Sequence, residues 1–577
     1  MIVTLLMSPK VSVSFVIPTG PQGQRSGVRL QAAPSQPQHV AVLGGGLAGI
    51  VAATTAAEKS NIKVTLLTSG SSLLEQFISS EDYTNKPILP DLSLDNRELM
   101  ERYASGGREL AGILHRFSPL AAREWLERRG LTLQEAGIIE GAIGKEKPLV
   151  LSNHSPADIV QRLEETVRTA GVDLITHAHV VNVTNDSDGF SLVMEDGSSF
   201  KVGCLVLAGE DASWDEIKIE KEPPKDAKEK LLADLSLLDA DEPLSKKEQM
   251  ALEKKRQKEK KKFEKSLPAK EEVRESKPAE VDEPKPRLPT CHDLARSLKH
   301  TIIDPAPGLF TFSVDGTNAL IQECANSHQL IPKSRLRCKL QAPPRRKMNS
   351  GALPNNRFEG SFLIANDNEL AGSAAWRLSA LAARDLYEGD YKGTIHIHFA
   401  PDIGGVDEIE NILWEMTESD PTRIVASSCP LFHREIDYDD YDFETGDFRQ
   451  VVLPLVPDTL WANLCGMVGI STYLSWSDVS KKALNRLSHL LVDSPLPITG
   501  VRPIECVTTG GVELQEIDMT TCQSRLAPGL FLIGTTMNAH GFDGGFNPLA
   551  CMATGYAAGA NAVTFCKQTI SSDTSIA

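Results

Sequence analysis

The run His39 to Leu43 is almost wholly apolar, and Leu47 to Glu58 follows it with Ala, Val, Ile and Thr on nearly every side. A second apolar run occupies Ile62 to Leu67. Runs of this length, separated by glycines, predict a short buried strand, a small-residue helix and a second strand. Near the other end of the chain, Leu530 to Ile533 predicts another buried strand, and Pro548 to Ala562 a helix rich in Ala and Gly. From Leu298 to about Asp402, apolar and polar residues alternate as in β-strands, with Phe310, Phe312 and Val314 on one face and Thr394, His396 and His398 on another. Val406 to Leu413 and Lys481 to Leu491, the latter with Leu484, Leu487 and Leu491, follow helical spacing and predict a helical subdomain.

The glycines give the two ends a chemical meaning. Gly44-Gly45-Gly46-Leu47-Ala48-Gly49 occupies the strand-to-helix turn of the first βαβ unit. There Gly44 permits a tight turn, Gly46 lets the backbone approach a pyrophosphate, and Gly49 lets the helix pack on the strand. Free amides at the helix start attract phosphate charge. The second cluster, Gly534, Gly541, Gly544 and Gly545, precedes the C-terminal helix. A Gly-rich turn at each end of a long chain is how a two-part dinucleotide fold closes one nucleotide site from both termini. The acid that normally follows the glycines by about 20 residues and binds the ribose is absent: the strand runs into Thr68-Ser69-Gly70.

From Val501 to Ala560 the chain resembles the YhiN/BaiN-like flavoproteins, NAD(P)/FAD-dependent or aminoacetone-oxidase-like oxidoreductases. The matched positions are Val507, Thr508, Gly510 to Val512, Glu516 to Asp518, Ser524, Pro528 to Leu530, Gly534, Gly541, Gly544, Gly545 and Asn547. Gly106 to Leu110, Trp125 with Gly130, Ser155 to Val160, Leu298 to Ile302 with Phe310 to Phe312, and Arg377 to Ala380 resemble further family landmarks. The chain departs from the family at Thr68 and Thr535, where the family has acids. It departs again around Ser79 to Asn85, Lys145 to Leu149, Ala208-Gly209-Glu210 and Ala365 to Gly372.

The motif turns and the resemblance together imply an α/β protein: a Rossmann-like FAD-binding domain built from both chain ends, with an inserted β-barrel-like domain and a helical subdomain. The expected divisions are a leader over 1–37, the nucleotide domain over 38–212 and 501–570, a charged insertion over 213–290, the barrel over 291–402 and the helical part over 403–500. The implied cofactor is FAD, with NAD(P)H as a candidate electron donor. Its expected contacts are Gly44, Gly46, Leu47, Ala48, Gly49, Thr68, Val180, Ala208, Gly209, Gly534, Thr535, Gly541, Gly544, Gly545, Phe546 and Asn547. No side chain is marked as acid or base; Arg108 and His300 are the candidates for facing a small-molecule substrate. The alternative is a flavin-fold scaffold that binds a partner and performs no reaction.

Composition bounds this picture. A chain of 577 residues exceeds one core. Its mean hydropathy of −0.19 and lack of a long apolar run argue against a membrane span. A net charge of −17 argues against nucleic acid as a partner. Ten scattered cysteines without a CxxC pair read as reduced thiols rather than a zinc or dithiol motif.

No acid precedes Glu58, and Lys10, Arg25 and Arg29 stand among Ser, Pro and Gly. That is the composition of a transit peptide, with a plastid expected ahead of mitochondrion or cytoplasm. The stretch from Ser213 to Pro289, with its charged core at Lys246 to Lys265, reads as a solvated spacer and a candidate site for a protein partner. His177/His179 and His396/His398 stand at strand spacing and read as ordinary strand histidines, and the acidic Asp437 to Asp447 reads as a solvated loop; no metal site is expected.

Overall fold

The run His39–Leu43 becomes the middle of five parallel strands, flanked by Cys204–Leu207 and Leu530–Leu532 on one side and by Lys63–Leu67 and Asp173–Ile175 on the other. Two short antiparallel strands, Gln523–Ser524 and Ile517–Asp518, complete the sheet at the Leu530 edge. The computed structural model describes residues 39–75, 87–136, 147–152, 154–186, 189–209, 288–321, 329–340, 357–365, 368–442, 447–503, 508–542 and 544–574. The leader, nearly all of the charged insertion, Thr84-Asn85, and the 366–367 part of the Ala365 to Gly372 segment lie outside the described residues.

Strands covered on both faces read as continuous apolar runs, and here Val40, Ala41, Val42, Leu205, Val206 and Leu530 are fully buried. The helix Leu47–Glu58 lies against one sheet face, with Leu47 through Ala56 all buried. It has no polar side because its outer face is covered by the C-terminal helix Phe546–Thr574. Gly555 and Gly559 lie directly on the carbonyls of Ala48 and Ala52. Both pairs step four residues in the same direction, so the two helices run parallel at backbone contact. The C-terminal helix is longer than the Pro548 to Ala562 span expected from its Ala and Gly content. No Gly or Pro stops it after Ala562, and Val563 and Cys566 continue its buried stripe.

The second body is a closed barrel of six strands, in the order Phe310–Val314, Glu369–Ala371, Arg357–Ala365, Gln329–Leu340, Gly393–His398 and Ser494–Pro503. Phe310 and Phe312 fill it together with Ile395, Ile397 and Leu496. The helices Val406–Ser419, Asp458–Met467 and Lys481–Val492 share this core through Leu413, Trp461, Leu484 and Leu487. Helix Ser373–Glu388 lies between the two bodies. Ala375, Leu378, Ala382 and Leu386 belong to the barrel core, whereas Ala380 belongs to the nucleotide-domain core.

Two sequence expectations are corrected. The acidic Asp437 to Asp447 stretch is mostly not a loop. Phe432–Asp442 and Asp447–Pro454 pair as a hairpin, with Asp437 opposite Arg449 and Asp442 opposite Asp447. The ladder bonds the backbone whatever charge the side chains carry. His177 and His179 are not on a strand either: the edge strand stops at Ile175, and His177 has a left-handed φ of 51°. Its amide donates to the Gly70 carbonyl at 3.0 Å. His396 and His398 do lie on a strand, where His396 pairs with Asp493 at 2.8 Å and His398 contacts the Gly404 carbonyl at 3.1 Å. Among the described residues no three His, Cys, Asp or Glu side chains gather as a metal site, and no helix is long and apolar enough to cross a membrane.

Candidate nucleotide site where the chain ends meet

Three turns converge at the C-terminal edge of the parallel strands. Gly44, with φ of 122°, directs its amide to the Leu67 carbonyl at 2.9 Å, and a side chain there would meet Ala208 Cβ at 3.1 Å. Ala208 donates to the Leu43 carbonyl at 2.8 Å. Gly209, with φ of 66°, rests on Thr535 and Thr536. Ile533 donates to the Leu207 carbonyl at 3.0 Å, and Thr536 Oγ1 donates to the same oxygen at 3.2 Å. Gly534 lies so close to Ala48 that a Cβ on it would be 2.8 Å from Ala48 Cβ. The first and last strand-to-helix turns are therefore one structure.

Residues 286–561 match the family model described as the HI0933-like protein Rossmann domain. Over those residues the chain is similar to the HI0933-like family. Similar solved structures include a mutant FrdA of the E. coli quinol fumarate reductase, at 11% identity over 92% of this chain and 70% of that one, TM-score 0.40. A flavocytochrome c3 fumarate reductase in its open conformation is 13% identical over 93% and 79%, TM-score 0.39. The 3-ketosteroid-Δ4-(5α)-dehydrogenase from Rhodococcus jostii RHA1 is 12% identical over 93% and 99%, TM-score 0.39.

The expected contact residues fall into two groups. Gly46 is the open one. Its φ and ψ of −76° and 177° suit any residue, and a Cβ there would meet nothing within 4 Å. Gly46 is also the N-cap of the following helix, which no side chain caps. A bare Cα before an uncapped helix start, facing free space, is what a pyrophosphate needs.

The others mostly touch protein. Gly49 packs on the Gly44 carbonyl. A side chain on Gly545 would meet the backbone of Leu89, with its Cα and N at 2.7 Å. Gly541 and Gly544 pack on Phe546, whose carbonyl accepts from Tyr103 Oη at 2.8 Å. Asn547 closes on Gly541, accepting from its amide at 2.7 Å and donating to its carbonyl at 3.1 Å.

The ribose end departs from the dinucleotide pattern. Thr68 is buried, its hydroxyl accepts from the Gly70 amide at 3.3 Å, and its Cβ would be 2.8 Å from a Cβ on Gly45. Its carbonyl accepts from Ala178 at 2.9 Å, which brings the strand beginning at Val180 alongside. Beyond Gly534 lies a partly open cleft lined by Leu110, Thr535, Met537, Asn547, Ala550, Cys551 and Thr554. The open, uncapped helix start at Gly46 fits the pyrophosphate of a dinucleotide.

Two buried histidines that no motif marks adjoin the site. His292 lies on helix Cys291–Ser297, and its Nε2 donates to the Thr535 carbonyl at 3.2 Å. His540 Nε2 donates to the Ala380 carbonyl at 3.1 Å across the seam between the two bodies, and its buried Nδ1 has no hydrogen-bond partner. Burial lowers the pKa of both below the ordinary 6.5. The two residues expected to face substrate do not converge here. His300 is buried between Ser524 Oγ at 2.7 Å and the Ala295 carbonyl at 3.1 Å, and Arg108 is exposed on helix Gly107–Arg116.

Proposed function

We propose that this chain is an FAD-dependent oxidoreductase acting on a small molecule, with the cofactor's pyrophosphate seated at Gly46 and the start of helix Leu47–Glu58. The open face of Gly46 carries this reading: among the glycines of the three turns it is the one where an added Cβ would meet no neighbour. Helix-start amides and dipole favour the two phosphate charges there, and Ala208, Gly209 and Gly534 keep the surrounding backbone close. When bound, a flavin supplies hydride acceptance, and the protein supplies binding, orientation and polarity. His292 and His540, held neutral by burial, offer hydrogen-bonding groups next to the site without adding charge to it. Purified protein that is yellow, or that gains thermal stability with FAD, supports the reading, because a ligand of the native state raises its stability. Colourless protein unaffected by FAD refutes it.

A second reading, a scaffold of the same fold without turnover, is favoured by Thr68, whose hydroxyl accepts from the Gly70 amide where the dinucleotide pattern has a ribose-binding acid. FAD binding without reduction of the flavin by NADH, NADPH or any tested substrate would select it.

A further inference from the structure

At the N-terminal ends of the parallel strands, away from the glycine turns, two cysteines far apart in sequence stand face to face. Cys204 opens the strand Cys204–Leu207, and Cys566 lies in the C-terminal helix. Their sulfurs are 3.0 Å apart although the residues are 362 positions apart, and both side chains are buried. That separation is inside ordinary sulfur contact and needs little more movement to reach a covalent bond of about 2.05 Å. We propose that Cys204 and Cys566 form a reversible disulfide that locks the C-terminal helix onto the central sheet, formed by exchange with a low-molecular-weight disulfide such as oxidised glutathione.

The chemistry balances by two successive exchanges. The Cys566 thiolate attacks one sulfur of the small disulfide and expels one thiolate, leaving a mixed disulfide on Cys566. Cys204 then gives up its proton to the expelled thiolate and attacks the Cys566 sulfur, releasing the second small thiol. Two protein thiols are oxidised and one small disulfide is reduced to two thiols. The order follows from the surroundings. The hydrogen bond from Cys204 favours the Cys566 thiolate and pulls its pKa down, whereas the same contact and burial push Cys204 up.

Access comes from the helix end: Lys567 is exposed beside Cys566, and helix termini open more readily than cores. The bond would tie the two portions of the chain that build the nucleotide domain, yet it uses no residue of the glycine turns. It stands whether or not a flavin binds.

The test uses the full-length chain treated with oxidised glutathione, quenched with an alkylating agent, digested and analysed by mass spectrometry. The expected product is a peptide pair joined through Cys204 and Cys566, two hydrogens lighter than the separate peptides and released by dithiothreitol. Its formation should raise the melting midpoint, since the bond removes freedom from the unfolded chain. The Cys204→Ser variant should instead hold glutathione on Cys566, and Cys566→Ser should show neither product. Two alkylated thiols in the treated parent, glutathione on both cysteines without a link, or a link that lowers the melting midpoint would each overturn the proposal.

Discussion

Gly555 of the C-terminal helix rests directly on the carbonyl oxygen of Ala48, with no room for a side chain between them. Gly559 repeats the contact one turn later on Ala52. Ala48 is in the first turn of the helix that begins at Gly46, so the last helix of the chain fixes the first helix beside the proposed nucleotide site.

Substituting Gly555→Ala should therefore destabilise the protein despite alanine's better helix propensity. Overpacking against a backbone atom costs about 1–3 kcal/mol. Gly112→Ala is the matching control, because a side chain there meets only the Arg116 guanidinium at 3.8 Å. It should be neutral or stabilising by about 0.5–1 kcal/mol. Denaturant midpoints of the two variants check the difference, and equal shifts would mean that the helix contact is slack.

Glycines at the ends of the chain should divide by function. Gly545→Val drives a branched side chain into the Leu89 backbone and should lower the melting midpoint whether or not ligand is present. An unchanged midpoint would remove Gly545 from the packing role assigned to it.

How far the site was legible follows from this division. The strand His39–Leu43 and helix Leu47–Glu58 were readable to the residue because glycines punctuate unbroken apolar runs. The meeting of the first and last glycine turns was implied by the motifs at both ends, whereas the place of Ala208 beside Gly44 came only through the family resemblance. Which glycine faces ligand and which faces Leu89 was not readable, since a missing Cβ serves either purpose. The sixth barrel strand, Ser494–Pro503, carries Pro495, Pro497 and Pro503, and proline argues against a paired strand in any local reading. His292 and His540 acquire their place only through contacts with Thr535 and Ala380, far away in the sequence.

Acidification should weaken the fold in a defined window. His292 and His540 are kept neutral in the folded protein by burial, below their ordinary value of 6.5. As pH falls through that value the unfolded chain takes up protons that the folded chain refuses. Stability should thus be level above it and decline below it, by up to about 1.4 kcal/mol per pH unit for each histidine. Melting midpoints between about pH 5 and pH 8 test this, and His292→Gln should flatten the slope. A flat parent profile would contradict the assignment.

The charged insertion should be dispensable for folding. Ala208 donates to the Leu43 carbonyl at 2.8 Å, and the Cys291 thiol lies 4.0 Å from the same oxygen, so the chain leaves and rejoins the body beside one carbonyl. Replacing Lys218 to Lys285 with a short Gly/Ser linker should leave the melting midpoint nearly unchanged, because closure cost varies slowly with loop length. Cooperative loss of the fold would show that the segment belongs to the core.

The most direct measurement compares FAD retention in the parent and in Gly46→Val. A Cβ at this position meets no protein atom within 4 Å and falls at an unstrained φ of −76°; the branched side chain would occupy the space assigned to the pyrophosphate. Both proteins should melt at the same temperature without ligand. The parent should show a bound-flavin absorption spectrum and a higher midpoint with FAD, and the variant should show neither. Equal flavin uptake by both proteins, or none by the parent, would contradict a dinucleotide site at Gly46.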